Sequence, residues 1–375
     1  MLGRSGVDVA VVDPHDVYPS DFRCEKLDGG QLKLLAATGL AADVVPATVA
    51  AGTLWVARFG HLLDAKPGVQ NGIMYDDLVN TVRAAIPARV PRIRAKAKEI
   101  ASGPDRQTVT LSNGETVSAR LAVLASGLNP GLVHQLGLKR LELSRCHSIT
   151  IGFDVRPIGR PSFDFPALTY YPERAKDKAA FLTLFPVPGA MRANYMVYRE
   201  LADPWLLDLR RDPVAALHGA MPGLAKITGP FDVVGPLRIR PADLYATEGH
   251  LQPGIVLVGD AFSTSCPAAG TGTGKALTDV ERLCNVHIPA WLASPGMGVD
   301  KIAAFYADPE KVACDAFSLA LAWNLRSRSI DPGLRWRADR LLRFLARFGA
   351  GVTRRVLRRA PPGGPVRQAP ETKHA

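Results

Sequence analysis

Residues 255–277 constrain this chain more than any other stretch. Ile255-Val256-Leu257-Val258 is an apolar, β-branched run that stops abruptly at Gly259-Asp260. Pro267 follows, and then Gly270, Gly272 and Gly274 open a helical pattern on alternate positions. A buried strand, an acidic turn and a glycine-rich helix start form a cradle for a polar, phosphate-bearing group at strand C-termini. Glycines remove the Cβ atoms where a flat ring or a pyrophosphate approaches the backbone. Two other readings compete. A nucleotide P-loop needs G-x-x-x-x-G-K followed by Ser or Thr. Gly274-Lys275 is present, but Ala269 occupies the first glycine's place and Ala276 the hydroxyl's. Alternatively, the glycines serve only close packing of helix on strand.

With 375 residues the chain can bury one large or two modest cores. Its 47% apolar and 22% charged content is that of a soluble globular protein, and no apolar run approaches the length of a membrane span. The N-terminus lacks an apolar signal-peptide core. Five scattered cysteines without a C-x-x-C argue for a reduced, cytoplasmic setting, and no metal site is expected. The net charge of +11 is local: residues 326–375 hold thirteen Arg/Lys against three Asp/Glu, which leaves +1 for the rest. The body is nearly neutral and the C-terminal part strongly basic.

Val7 to Val12 reads as a strand closed by Asp13. An acid there holds a ribose hydroxyl in a Rossmann unit; the alternative is a surface strand ending in an Asp-Pro turn. The matching G-x-G-x-x-G belongs about 20 residues upstream of such an acid. Only twelve residues precede Asp13, and Met1 to Ser5 reads as a helix end with Gly6 as its cap. The expectation is that the first strand and its fingerprint are absent, and that the gene product starts upstream of Met1.

The block with Asp260, a proline seven residues later and a G-x-G helix start resembles the second dinucleotide fingerprint of the class A flavoprotein monooxygenases, which share the p-hydroxybenzoate hydroxylase-like fold. Asp260, Pro267, Gly270 and Gly272 match in order and spacing, and Ala276 to Leu283 match the helix that follows. The resemblance implies that Asp260 binds the ribityl chain of FAD after the Gly259 turn, and that the helix N-terminus faces the flavin. Asp21 to Leu27, leading into an amphipathic helix over Gln31–Leu40, is similar to the family's arginine-bearing loop. Arg23 falls on its FAD-contacting arginine; a solvated loop arginine is the other reading. Ala125-Ser126-Gly127 ends the strand Leu121–Leu124, where the family carries Ala-Asp-Gly beside FAD. Asp13 completes the set implied to touch the cofactor.

The implied fold is α/β: a Rossmann-like FAD-binding domain with its first strand missing, an inserted mixed-sheet substrate domain, and C-terminal helices. The expected parts are residues 1–145 and 236–290 for cofactor binding, 146–235 for substrate, 291–358 for helices and 359–375 for a disordered tail. Strands are expected near 148–155, 168–171, 180–185 and 193–198, and a hairpin around Ser112-Asn113-Gly114. Helices are expected over 73–86, 204–221, 279–291, 299–325 and 334–357, the last broken at Gly349-Ala350-Gly351. That last helix is basic and amphipathic. It packs on the body with a solvated arginine face, or contacts a membrane surface; nucleic acid is not expected, since no base-stacking aromatic series accompanies the arginines.

No protein-borne catalytic constellation is legible, and catalytic residues remain unknown, which suits a cofactor enzyme. The resemblance implies a cytoplasmic, or peripherally membrane-bound, FAD-dependent oxidoreductase. It would be an NAD(P)H-using monooxygenase that hydroxylates or epoxidises a small aromatic or isoprenoid-like substrate with O2, through a flavin C4a-hydroperoxide. A geranylgeranyl-reductase-like flavin reductase and a non-catalytic truncated remnant are the alternatives. Three departures weigh on the transfer: Ser126 replaces the family's Asp, Ser263 a histidine, and Gly274 an asparagine.

Overall fold

The computed structural model describes residues 1–23 and 25–359, with side chains described up to residue 353. Of the expected disordered tail only Arg359 is included; the remainder lies outside the described residues.

Two parallel strand pairs carry the ends of the cofactor-like motifs. Val11–Asp13 pairs with Arg92–Arg94, and Ile255–Leu257 pairs with Ala122–Leu124. The parallel strands of the expected Rossmann-like domain are present as these two separate pairs. The apolar run at 255–258 does not alternate because both of its faces are covered. Ile255 and Leu257 pack with Ile100, Leu124, Val133 and Leu138, while Val256 and Val258 pack with Leu283, Trp291, Ile302 and Phe305. Val11 and Val12, by contrast, are only half-buried. Ahead of them, Ser5 N–H donates to Met1 O and Val7 N–H to Leu2 O, with Gly6 at φ +91°. This is the hydrogen-bond pattern of a helix C-terminus closed by a left-handed glycine.

The largest sheet has eight strands. From one edge to the other they are Phe231–Glu248, Lys139–Pro157, Ala190–Val197, Ala179–Val187, Ala167–Tyr170, Val49–Arg58, His61–Gly72 and Lys26–Asp28. All neighbours are antiparallel except Ala167–Tyr170 with Val49–Arg58. On one face Ile149, Ile151, Phe153, Leu182, Leu184, Tyr195 and Val197 pack under Leu206, Leu209 and Leu217 of the helices Trp205–Arg211 and Pro213–Ala220. The other face is polar and yet buried. Gly152, Asn194, Thr183 and Thr169 form one row across four strands, flanked by Thr150 and Met196 on one side and Asp154 and Arg192 on the other.

The hairpin Val49–Gly72 carries no turn signal that the sequence reading recognised. Its two-residue turn is Phe59-Gly60, both residues at positive φ (+55° and +69°). That is the backbone a two-residue hairpin demands, usually met by Asn-Gly.

The helical expectations need three corrections. The 299–325 helix is two helices, Val299–Tyr306 and Pro309–Ile330, because Asp308 accepts the N–H groups of Glu310 and Lys311 and Pro309 follows it. The 204–221 helix is likewise divided by the cap at Asp212-Pro213. The C-terminal helix runs unbroken over Leu334–Arg359. Its Gly351 does not interrupt it; a Cβ there would overlap the Leu63 carbonyl, so the glycine lets the helix press on the sheet. Phe344 meets Phe59 edge-on and the Arg347 guanidinium lies over Tyr171. Of the two readings of this helix, packing of its apolar side on the body is not met: Leu334, Leu341, Leu342, Leu345, Phe348 and Val352 are exposed.

Candidate cofactor and substrate site

The turn after the buried strand is locked from behind. Gly259 sits at φ +57°, a left-handed conformation that costs a side-chain-bearing residue about 1 kcal/mol or more. Its N–H donates to Asp279 Oδ2 at 2.8 Å, and Asp279 Oδ1 accepts from Lys311 Nζ at 2.8 Å. Both side chains of that pair are buried. Burial pushes the Asp279 carboxyl up, against the charge and hydrogen bond of Lys311.

Asp260, held by this turn, keeps 35% of its side chain accessible. Burial raises its carboxyl, and Arg23, Lys275 and Arg140 pull it back. Arg23 Nη1 is 3.9 Å from Asp260 Oδ2, and Arg23 Nε donates to Asp21 Oδ2 at 2.7 Å. Asp21 Oδ1 in turn accepts from Arg240 at 2.7 Å. Burial works to raise Asp21, but Arg23 and Arg240 bring it below its ordinary value. The carboxylate of Asp21 therefore aims the Arg23 guanidinium at Asp260.

The glycine block closes the site from another side. Pro267 opens a short 3-10 turn that ends at Gly270, φ +69°, whose carbonyl accepts from Gln31 Nε2 at 3.2 Å. The helix Gly272–Arg282 then starts at Thr271 without a side-chain cap, leaving N–H groups of its first turn for another partner. A Cβ on Gly272 would stand 2.7 Å from Ser265 Oγ. Lys275 is buried, and its ammonium turns back to Ser263 O at 3.0 Å, Ser263 Oγ at 2.6 Å and Asp315 at 3.1 Å. It latches the loop to the helix, which is the opposite of a P-loop lysine reaching for phosphate.

The sequence-predicted residues are only partly assembled. Val258 N–H donates to Leu124 O at 3.1 Å, so Ala125, Ser126 and Gly127 leave their strand beside the Gly259 turn. Gly127 has φ +57°. Asp13 stands on the other parallel pair, where its carboxylate is 3.2 Å from Arg83 and accepts the His15 N–H at 2.7 Å.

Sequence reasoning missed what Phe22 and Glu25 do. The Phe22 ring lies on Gly152 of the large sheet, and Met196, Cys266 and Ala268 share one cluster. The polar sheet face is thereby turned toward the glycine block. Glu25, fully buried, lies 3.5 Å from Arg192 Nε, and Asp154 competes for the same nitrogen at 3.2 Å. In the orientation that satisfies both its ends, the Asn194 amide donates to Glu25 Oε2 at 3.2 Å. Burial, only partly offset by Arg192, pushes Glu25 up to about 7. The signal was present in the strands: Thr150, Arg192 and Asn194 recur on alternate positions within runs whose other face is wholly apolar.

Among the described residues no group of three or more His, Cys, Asp and Glu could hold a metal ion. The sequence family described as an FAD binding domain matches residues 1–287. No curated sequence matches the chain. Among solved structures, p-nitrophenol 4-monooxygenase from Pseudomonas putida DLL-E4 is similar at a TM-score of 0.70 and 17% identity, covering 95% of this chain and 91% of that one. The protein HpxO of Klebsiella pneumoniae, solved with FAD and uric acid, is similar at 0.66 and 14%, covering 95% and 90%. The 2-methyl-3-hydroxypyridine-5-carboxylic acid oxygenase is similar at 0.61 and 20%, covering 88% of each chain. At these identities the structures speak for the fold, whereas the family match spans most of the sequence. The chain belongs to the FAD-binding family of class A flavoprotein monooxygenases and is an FAD-dependent oxidoreductase.

Proposed function

We propose that this chain uses NAD(P)H and O2 to add one oxygen atom to a small aromatic or isoprenoid-like substrate bound between the glycine block and the polar sheet face. The observation that carries the reading is the buried row Gly152, Asn194, Thr183 and Thr169, whose neighbour Met196 packs with Cys266 and Ala268 just ahead of that block. Polar groups without water around them are retained where they orient a ligand or one another. The names of the similar structures, p-nitrophenol and a hydroxypyridine carboxylic acid, add support for a small ring.

The residues fit FAD. Asp260 offers a part-exposed carboxylate to the ribityl hydroxyls, and Arg23 offers a guanidinium to the pyrophosphate. The uncapped start of helix Gly272–Arg282 offers N–H groups, Pro267 and Gly270 shape the turn ahead of it, and the Gly259 turn lies beside Ala125, Ser126 and Gly127. Asp13 reaches a ribose hydroxyl by sharing its carboxylate with Arg83. Bound FAD supplies electron transfer from NAD(P)H and the activation of oxygen. Thr150, Thr183 and Asn194 orient polar atoms of the substrate, while Phe22, Met196 and Cys266 exclude water.

The test begins with purified protein and its flavin content. Arg23→Ala and Asp260→Ala each weaken FAD retention by roughly tenfold or more, the worth of one charge-assisted hydrogen bond. Phenols, hydroxypyridines and short isoprenoid alcohols are then screened for stimulated NADH and NADPH oxidation, and products are weighed after reaction under labelled O2. Asn194→Ala raises KM more than it lowers kcat. Protein without flavin, or NAD(P)H oxidation that never places labelled oxygen in a product, overturns the proposal.

A further inference from the structure

The C-terminal helix Leu334–Arg359 presents an apolar strip that nothing among the described residues covers. Leu334, Ala338, Leu341, Leu345, Phe348 and Val352 follow one another at steps of four and three, which places them on a single line along the helix. The large members are exposed, from 41% at Val352 to 81% at Leu334, with Leu342 beside them at 65%. The helix holds the body by a different side, through Phe344 on Phe59, Arg347 on Tyr171 and Arg340 Nη1 on the Arg328 and Asp331 carbonyls. A contiguous exposed apolar strip of this kind marks a contact surface.

Charge selects among the occupants. The helix contains nine arginines and one acid, Asp339, and Asp339 is already paired with Arg328 and Arg343. In a pairing of two copies, Arg335 and Arg337 would flank the seam on both chains with no acid to meet them. A span is not available either, since no described helix is long and apolar enough to cross a membrane. An apolar strip about 27 Å long, bordered by arginines, fits the boundary between phosphate headgroups and acyl chains of an anionic bilayer. Arginines near such a surface are drawn to its negative potential, an attraction that falls off within a Debye length.

We infer that this helix docks flat on an anionic lipid surface, with the leucine strip in the acyl boundary and the arginines at the phosphates. The dock is separate from the proposed catalytic site and does not depend on it. The test is co-sedimentation of the purified protein with phosphatidylcholine vesicles, with and without phosphatidylglycerol. Expected is binding only to the anionic vesicles, weakened at least tenfold by Leu341→Asp/Leu345→Asp and by Arg335→Glu/Arg337→Glu. These residues are exposed, so melting temperature and flavin content stay unchanged and report that the variants are folded. Three results would overturn it: no sedimentation with anionic vesicles, binding indifferent to the leucine changes, or a protein dimer that Leu345→Asp dissolves.

Discussion

Glu25 shows how a single residue can couple the site to pH. It is enclosed with Arg192, Asp154 and Asn194, and one of its carboxylate oxygens, Oε1, finds no hydrogen-bond partner among the described residues. Burial raises it from 4.5 in the unfolded chain to about 7 in the fold. The folded state therefore binds the proton more tightly. Stability from this group is complete below about pH 4.5 and is lost as pH rises through 7, with an upper bound of about 3 kcal/mol. Glu25→Gln should remove that slope. Urea unfolding at pH 5 and pH 8 reads it, and parallel slopes for both proteins would show that Glu25 does not titrate in this range. The Asp279–Lys311 pair makes the opposite case, of charge that must stay balanced. Lys311→Met should cost about 3–5 kcal/mol, because it strands a buried carboxylate that also holds the Gly259 N–H. Denaturant midpoints check this, and Asp279→Asn/Lys311→Met should recover part of the loss. Neither pair was legible in the sequence. Glu25 and Arg192 are 167 positions apart, and no local pattern records which charges share an enclosure.

At the scale of elements, local chemistry was readable wherever the element contains its own reasons. Asp28 and Gln31 form a reciprocal capping box at the helix Gly29–Ala37, and Gly39 ends it at φ +71°. The hairpin at Ser112-Asn113-Gly114 follows from its turn residues, with Gly114 at φ +87°. The Phe59-Gly60 hairpin escaped because its unusual first turn residue is accommodated by Phe344 from a helix far along the chain. The glycines at 349–351 misled for a related reason: a glycine lowers helix propensity, but here Gly351 serves contact with the sheet. Gly351→Val should therefore lift the end of the C-terminal helix from Leu63. Limited trypsin digestion checks this, since the arginine-rich segment should be cut several times faster while flavin content stays unchanged.

For the whole molecule, the contact of residues 20–22 with the large sheet joins the proposed cofactor and substrate regions. Phe22 lies on Gly152, Arg240 holds Asp21, and Arg238 donates to Ser20. Gly152→Val would drive a side chain into the Phe22 ring. Overpacking of that kind costs about 1–3 kcal/mol, and because Arg23 sits on the same loop, flavin retention should fall with it. Unchanged flavin content in a folded Gly152→Val protein would show that the two regions are independent.

The sequence by itself determined the buried strand at 255–258, its Gly259-Asp260 turn and the glycine helix start, because their reasons are local: apolar residues on both faces, a left-handed turn, and absent Cβ atoms. It also carried enough of the flavin motif to indicate the family. Only the tertiary structure decided that Asp13 is held by Arg83 while Arg23 reaches Asp260, that the sheet's second face is polar and buried, and that the C-terminal leucines face outward. Those outcomes depend on which distant surfaces meet. Burial, charge pairing and desolvation belong to a pair of surfaces, and a sequence pattern describes one surface at a time.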